Sequence, residues 1–240
     1  MIQMNNISKS YHSSVKAVNH LNLTVNDGEI VGFIGPNGAG KTTTIKMLTG
    51  ILKPDEGSIS INGYDMLRTP LQAKQEIGYI ADSPDMFLRL KAIEFLNLIS
   101  DIYKVPGKVR QERIQTLAER FELGAVLNQP MQNFSHGMRQ KIMVVAALVH
   151  NPAVWILDEP LTGLDPKSAF HLKTMMREHA DAGNAVLFST HVLEVAEKLC
   201  DKVLIINHGE TLFYGTLEEL TGKYPAWDLE QIFLEMTVDE

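Results

Sequence analysis

One stretch near the N-terminal end combines glycines with a lysine and two threonines: Gly35-Pro36-Asn37-Gly38-Ala39-Gly40-Lys41-Thr42-Thr43. Its pattern, a glycine, four residues of any type and then Gly-Lys-Thr, is typical of loops that bind nucleotide phosphates. Glycines allow successive backbone N–H groups to face inward and form a nest for an anion. Lys41 supplies a positive charge for the β- and γ-phosphates, and the Thr42 hydroxyl is a ligand for Mg²⁺.

The residues on either side place this loop between a strand and a helix. The apolar run Ile30–Ile34 precedes it, and residues 44–48 have the composition of a first helical turn. A helix N-terminus adds unpaired N–H donors and the positive end of its dipole. The alternative, a Gly-rich turn that matches by chance, is disfavoured by this context, so the stretch predicts binding of nucleotide phosphates.

Two adjacent carboxylates, Asp158 and Glu159, follow the short apolar run 154–157. In an open α/β sheet, ligands bind outside the carboxyl ends of the strands. Asp158 is then placed to hold Mg²⁺, directly or through water, and Glu159 to orient or deprotonate an attacking water. Acidic residues also cap helix N-termini, but the phosphate loop upstream favours the catalytic interpretation.

Two further motifs have candidate phosphate contacts. His191 ends the strand-like run that begins at residue 185, where it can hydrogen-bond a γ-phosphate or the attacking water, although a lone histidine there is often structural. Ser135 and Gly137 open an apolar helix, and Ser135 is a good N-cap. A Ser-x-Gly turn at a helix N-terminus is a second anion site; an ordinary capped helix is the alternative.

Composition limits the class of protein. The 240 residues are 45% hydrophobic and 21% charged, as in a globular protein with a full core. The net charge of −7 disfavours a nucleic-acid partner. Cys200 is the single cysteine, so no internal disulfide forms and we expect a reducing compartment. No signal peptide is expected, and apolar runs such as 143–149 are shorter than the roughly 18 residues that span a bilayer.

Hydrophobic periodicity divides the chain into regions of one domain, residues 1–240. Short strands dominate up to about residue 80, with hairpin turns predicted at residues 26–28, 62–63 and 207–209. Helical spacing dominates residues 84–150, as in Ile93, Leu96 and Ile99. Strand–helix–strand units resume after residue 150 and predict a mostly parallel α/β sheet, and a tail with an amphipathic helix spans about 216–240.

The order of these motifs resembles the nucleotide-binding subunit of ATP-binding-cassette (ABC) transporters. The phosphate loop, the helical insertion, the Ser-x-Gly turn, Leu-Asp-Glu-Pro at 157–160, Leu-Thr-Gly-Leu-Asp at 161–165 and Ser-Thr-His at 189–191 follow the family order. The resemblance covers about residues 2–220. It implies an α/β fold with a P-loop NTPase (RecA-like) core, an N-terminal antiparallel β subdomain and an inserted α-helical subdomain. It also implies an ATPase that uses ATP and Mg²⁺, with Lys41, Glu159 and His191 as catalytic residues.

The resemblance further implies a head-to-tail dimer around two ATP molecules. Ser135 and Gly137 would then contact the γ-phosphate bound to the other subunit, and Asp165 would link the two sites. Tyr11 matches the aromatic residue that stacks on adenine, although it is also a plausible plain strand residue, and Val18 would lie against the ribose side.

The chain departs from the family pattern in two places. Phe134, His136 and Met138 replace the Leu, the first Gly and the Gln of the usual Leu-Ser-Gly-Gly-Gln motif, while Ser135 and Gly137 are kept. Asp82 stands where the family usually has a glutamine. An amide both donates and accepts hydrogen bonds, whereas an ionised carboxylate only accepts. Asp82 can ligate Mg²⁺, so we hypothesise that it makes the site more dependent on Mg²⁺ and alters coupling to the membrane partner.

The resemblance leads to a prediction of a cytoplasmic ATPase, peripheral on the inner face of the cell membrane, that drives a separate transmembrane permease subunit. Its second cassette is a copy of this chain or a relative, and His136 and the tail 228–234 favour export. Residues 82–90 are the expected docking surface, with Phe87 and Leu88 as apolar anchors or, alternatively, core residues.

Two alternative functions follow from the same motifs. A soluble ABC ATPase without a transporter, acting on nucleic acid or in assembly, is disfavoured by the single cassette, the acidic charge and the lack of a long heptad block. A nucleotide-binding regulator without turnover is disfavoured because Lys41, Asp158, Glu159 and His191 are all present.

Overall fold

The computed structural model describes residues 1–12, 15–83, 85, 87–225 and 227–237, and every element below lies within those ranges. The strands are β1 (Ile2–His12), β2 (Val15–Val25), β3 (Ile30–Ile34), β4 (Glu56–Ile61), β5 (Tyr64–Asp65), β6 (Ile77–Ile80), β7 (Val154–Leu157), β8 (Ala185–Thr190), β9 (Lys202–Asn207) and β10 (Glu210–Gly215). The α-helices are α1 (Lys41–Leu48), α2 (Pro70–Gln75), α3 (Ala92–Ile102), α4 (Gly107–Arg120), α5 (His136–Leu148), α6 (Pro166–Asp181), α7 (Leu193–Leu199), α8 (Leu217–Lys223) and α9 (Leu229–Thr237).

The central sheet has the strand order β10-β9-β3-β8-β7-β6 among the described residues. Strands β9, β3, β8, β7 and β6 pair in parallel, and β10 pairs antiparallel to β9. Every residue of β3, β7 and β8 is buried. Such continuous apolar strands are expected where both faces of a parallel sheet are covered. Their carboxyl ends lie side by side, which brings the loop after β3 close to the residues after β7 and β8.

An antiparallel sheet, with the order β2-β1-β4-β5 in the described part of the chain, packs against the central one. Alternate residues of a strand point to opposite faces of its sheet. Ile156 of β7 accordingly packs into the apolar cluster shared with the antiparallel sheet. Trp155, the preceding residue, packs into the cluster shared with helices α3 to α6. The central sheet is therefore the middle layer, between the antiparallel sheet and the helices.

Helices α3, α4 and α5 form the helical region, with short 3₁₀ helices at Gly124–Val126 and Met131–Asn133. Phe95, Ile114 and Phe121 bury their side chains in its core. The predicted starting residue, Pro84, lies outside the described residues, and the division of the chain into subdomains stays a prediction. No described helix combines the length and the apolar character that crossing a bilayer requires.

The predicted α/β class with an antiparallel β region and an inserted helical region is confirmed. Two predicted hairpins are also confirmed, since β4 pairs with β5 and β9 with β10. The hairpin predicted at residues 26–28 is wrong, because β2 pairs with β1 whereas β3 joins the central sheet. That turn passes the chain from one sheet to the other.

Candidate active site

The last residue of the loop between β3 and α1 has a backbone conformation that requires glycine. Gly40, the N-cap of α1, has φ +111, and a Cβ there would lie 2.5 Å from the carbonyl oxygen of Ala17. Any larger residue would therefore strain the backbone and collide with β2. The first N–H groups of α1 have no partner within the helix, so the loop directs donors and the helix dipole towards one concave surface.

Lys41 is folded back over this loop and is only 7% exposed. Its Nζ donates to the carbonyl oxygens of Gly35 at 2.6 Å and Pro36 at 3.1 Å. Burial lowers the pKa of Lys41 from its usual value, and the charges of Glu159 and Asp158 act in the opposite direction. Asp158 and Glu159, which follow β7, therefore lie close enough to Lys41 to stabilise its positive charge.

A cavity of about 370 Å³ opens over the loop, within the size range of small-molecule sites. Nine predicted site residues line it: Asn37, Gly38, Gly40, Lys41, Thr42, Thr43, Asp82, Glu159 and His191. These residues come from four separate stretches of the chain. The fold therefore collects the phosphate loop, both catalytic candidates of the later strands and Asp82 around one space.

The two carboxylates after β7 have different environments. Asp158 is 1% exposed, and its Oδ1 accepts a hydrogen bond from the Ser189 hydroxyl at 2.6 Å. Its Oδ2 is buried and has no hydrogen-bond partner among the described residues. Glu159 has φ +47, the left-handed region that a residue with a side chain seldom adopts. Its N–H donates to the same Ser189 hydroxyl at 2.9 Å, and its side chain turns into the cavity.

His191 is paired with Glu159 across the cavity. Its Nδ1 lies 2.9 Å from Glu159 Oε2, and an ionised carboxylate only accepts, so Nδ1 is the donor. The His191 side chain is 61% exposed, whereas that of Glu159 is 17% exposed. The exposed ring thus orients a shielded carboxylate.

Tyr79 of β6 lies close to the acidic residues of the site. Burial raises its pKa to about 12, with contributions from the charges of Asp158 and Asp82. Its phenol is therefore neutral in the ordinary pH range and adds no negative charge beside the carboxylates.

The residues predicted for adenine and ribose lie at the edge of the cavity or outside it. Tyr11 is 53% exposed, and its hydroxyl lies 3.3 Å from Thr43 Oγ1. Val18 is fully buried in the core, whereas its neighbour Ala17 lines the cavity. Neighbouring strand residues point to opposite faces, so the buried Val18 side chain does not face the cavity that Ala17 lines.

Ser135, Gly137 and Asp165 lie outside this cavity in the described structure. Ser135 is the N-cap of α5, and its Oγ accepts from the Met138 N–H at 3.2 Å. Asp165 is the N-cap of α6, where Oδ1 accepts from the Ser168 N–H at 2.9 Å. The Ser168 hydroxyl and N–H, followed by Lys141, lower the pKa of Asp165 below its usual range. In a single subunit Ser135 and Asp165 are thus exposed helix caps, and Gly137 lies in the first turn of α5.

The start of α5 contacts the loop 160–165 directly. Gln140 Nε2 donates to the carbonyl oxygen of Pro160 at 3.3 Å, and Lys141 Nζ pairs with Asp165 Oδ2 at 2.9 Å. Gly163 has φ +75, and a Cβ on it would lie 2.5 Å from His136 Nδ1. The loop that follows Glu159 is therefore packed against the Ser-x-Gly turn of the same subunit.

Comparison with known proteins identifies the family. Residues 18–162 match the protein family described as ABC transporter. The ABC transporter ATP-binding protein NatA of Bacillus subtilis (strain 168) is 35% identical over 242 residues, which cover 99% of this chain and 98% of NatA. This chain belongs to the ABC transporter family. As an ABC ATP-binding protein, it is an ATPase.

Solved ABC structures share its fold. One, described as the ATP-binding subunit of an ABC transporter, superimposes with a TM-score of 0.94 at 33% identity, covering 98% of this chain and 99% of its own. Another is an ATP-binding cassette described as a dimer in a post-hydrolysis state with ADP and Pi. It has a TM-score of 0.82 at 23% identity over 90% of this chain and 99% of its own, and it supports the fold alone.

The residues of this ABC ATPase fit a magnesium site that the substrate completes. Asp158 Oδ2 is a buried acceptor without a partner among the described residues, and the next residue, Glu159, lines the cavity together with Thr42 and Asp82. No group of three His, Cys, Asp or Glu in the described ranges could hold a metal by itself. Mg²⁺ characteristically binds one or two carboxylates and takes its other ligands from phosphates and water.

The sequence motifs do not assign a role to every residue that shapes the site. Ser189, Tyr79, Ala17 and Thr162 have no predicted role, yet each bonds or lies near the reactive carboxylates or lines the cavity. Ser189 directly precedes Thr190 and His191, so its place in that motif was the signal that the sequence offered. Its hydrogen bonds depend on strand register, which a motif does not give.

Proposed function

We propose that this ABC ATPase binds ATP with Mg²⁺ in the cavity over residues 35–43 and couples hydrolysis to transport through a separate membrane permease. The observation that supports it best is the arrangement of Lys41, Glu159 and His191 around one cavity of about 370 Å³, with the charge of Asp158 close enough to act on Lys41. A phosphate-binding loop with a buried lysine provides binding. A shielded carboxylate held by a histidine provides the group that hydrolysis needs.

In this proposal, the N–H groups of residues 35–43 and the Lys41 ammonium bind the β- and γ-phosphates. Asp158, Thr42 and Asp82 hold Mg²⁺, which neutralises phosphate charge when bound. Glu159 accepts a proton from the attacking water, and His191 donates to Glu159 Oε2 and fixes its orientation. Tyr11, at the rim of the cavity through its contact with Thr43, supplies the adenine stack.

The same proposal makes the complete site a dimer. Ser135 and Gly137 lie outside the cavity of their own subunit, so they are available to a γ-phosphate held by a second cassette. Ser135 at the N-terminus of α5 offers donors to an anion. Asp165, on the loop packed against α5, then connects the two sites. The second cassette is a copy of this chain or a relative.

Residues 82–90 are the proposed contact with the permease. Phe87 is 48% exposed and packs against Phe95 with ring centroids 5.6 Å apart. Leu88 is held by its carbonyl, which accepts from the Gln132 N–H at 2.7 Å. Asp85 pairs with Arg139 of α5 at 2.6 Å. A permease segment bound to this stretch would therefore push on the helix that begins at the Ser-x-Gly turn.

This docking places the subunit at the inner face of the cell membrane, and the resemblance favours export. An affinity pull-down from detergent-solubilised native membranes tests the partner, with wild type and Phe87→Asp as baits. We expect a multi-helix membrane protein in stoichiometric amount with wild type and its loss with Phe87→Asp. Recovery of only soluble proteins or nucleic acid with wild type would contradict the proposal.

A further inference from the structure

Ser189 lies at the carboxyl end of β8, beside the two catalytic carboxylates. Strands β7 and β8 are parallel with Leu157 opposite Phe188, so Asp158 follows in register with Ser189. The Ser189 side chain is fully buried. A serine at this depth requires hydrogen-bond partners, because an unpaired buried hydroxyl is unfavourable.

The Ser189 hydroxyl uses its single proton on one oxygen of Asp158. The distance from Oγ to Oδ1 is 2.6 Å, short as expected for a donor to a charged acceptor. Oδ2 of the same carboxylate is left without a partner among the described residues. The bond therefore fixes the rotation of the carboxylate and reserves one defined oxygen for a cation.

The same hydroxyl also accepts a hydrogen bond from the Glu159 backbone. The Glu159 N–H lies 2.9 Å from Ser189 Oγ. Glu159 has a φ of +47, which is unfavourable for any residue other than glycine. Surrounding contacts must maintain such a conformation. This bond holds the turn that directs the Glu159 side chain into the cavity and towards His191.

We propose that Ser189 is a positioning residue for ATP hydrolysis, with one hydroxyl that orients Asp158 for Mg²⁺ and Glu159 for the attacking water. The inference rests on the proposed Mg²⁺-ATP site. A single oxygen, Ser189 Oγ, then sets the positions of both Asp158, the metal ligand, and Glu159, the general base.

Ser189→Ala tests this role, with Ser100→Ala as the matched control. Ser100 is also fully buried and donates to the Leu96 carbonyl at 2.7 Å, far from the site on α3. Binding of a fluorescent ATP analogue is titrated with Mg²⁺ and repeated in EDTA. Loss of a partner that orients a metal ligand costs about 10- to 100-fold in metal affinity. We expect Ser189→Ala to raise the half-saturating Mg²⁺ concentration by that factor and to leave binding in EDTA unchanged.

Conservative variants separate positioning from folding. Ser189→Thr keeps the hydroxyl and should restore the wild-type Mg²⁺ curve. Ser189→Cys keeps the size with a weaker donor and should show an intermediate shift, which serves as the test if Ser189→Ala does not fold. A wild-type Mg²⁺ curve for Ser189→Ala or Ser189→Cys would overturn the inference, as would an equal shift in Ser100→Ala. If wild type itself shows no Mg²⁺-dependent binding, the proposed function fails instead.

Discussion

Gly163→Ala should destabilise the protein in two separable ways. At φ +75, an L-residue costs about 1–2 kcal/mol relative to glycine. The new Cβ would also lie 2.5 Å from His136 Nδ1, so the imidazole must leave its rotamer, at a further cost of about 0.5–1.5 kcal/mol. The expected total is about 1.5–3.5 kcal/mol, which lowers Tm by roughly 3–14 °C for a chain of this size.

A double-mutant cycle with His136→Ala isolates the second contribution. Removing the ring leaves the backbone cost of Gly163→Ala in place and eliminates the collision. The four proteins are compared by denaturant and thermal unfolding, and we expect a coupling energy of about 0.5–1.5 kcal/mol.

The cycle has clear negative outcomes. An equal loss of stability from Gly163→Ala in both backgrounds would show that His136 does not pack on Gly163. No loss in either background would show that the backbone at Gly163 is not left-handed. Gly124→Ala is the control, since a Cβ there meets no atom within 4 Å and its φ is not positive.

Two further predictions concern charge. Asp82→Gln removes a carboxylate from the cavity wall and should tighten ATP-analogue binding in EDTA by about fivefold, since repulsion near water is worth about 1 kcal/mol at 4 Å. Unchanged binding in EDTA, with Mg²⁺ dependence and turnover equal to those of wild type, would contradict this. Burial lowers the pKa of His150 from 6.5 to about 4. Between these two values the His150 imidazole is neutral in the folded protein and protonated in the unfolded chain. The free energy of unfolding should therefore fall as pH decreases from about 6.5 to about 4, by ~1.4 kcal/mol per pH unit.

Controls make both results specific. For Asp82→Gln, Ser83→Ala changes the next exposed residue, which does not line the cavity, and should leave binding in EDTA unchanged. For the pH effect, denaturant unfolding of His150→Gln between pH 7 and pH 4 should show a shallower loss than wild type. An unchanged slope would mean that His150 stays solvated and titrates normally.

Sequence motifs predicted the parts of the site that depend on local chemistry. The phosphate loop needs glycines at fixed positions, and the runs before Asp158 and His191 are short, apolar and therefore buried strands. Because the carboxyl ends of parallel strands share an edge, the convergence of the loop, Glu159 and His191 could be expected without coordinates.

The missed features depend on register and on contacts between distant segments. Alternation along β2 decides whether Ala17 or Val18 faces the cavity, and the sequence offers two small apolar side chains in succession. The turn at 26–28 has hairpin composition, but the continuously buried apolar strand β3 pairs with β8 and β9 in the central sheet and not with β2. The bonds of Ser189 likewise require that β8 lie next to β7.

The central claim is that Glu159 is the general base for ATP hydrolysis in a site that a second cassette completes. Glu159→Gln keeps the size and an acceptor for His191 but cannot take a proton. Turnover should fall by about 10²- to 10⁴-fold, while ATP binding is kept. Size-exclusion chromatography of this variant with Mg²⁺ and ATP should show a dimer that is absent without nucleotide. A variant that hydrolyses ATP at the wild-type rate, or that binds ATP and remains strictly monomeric, would contradict the account.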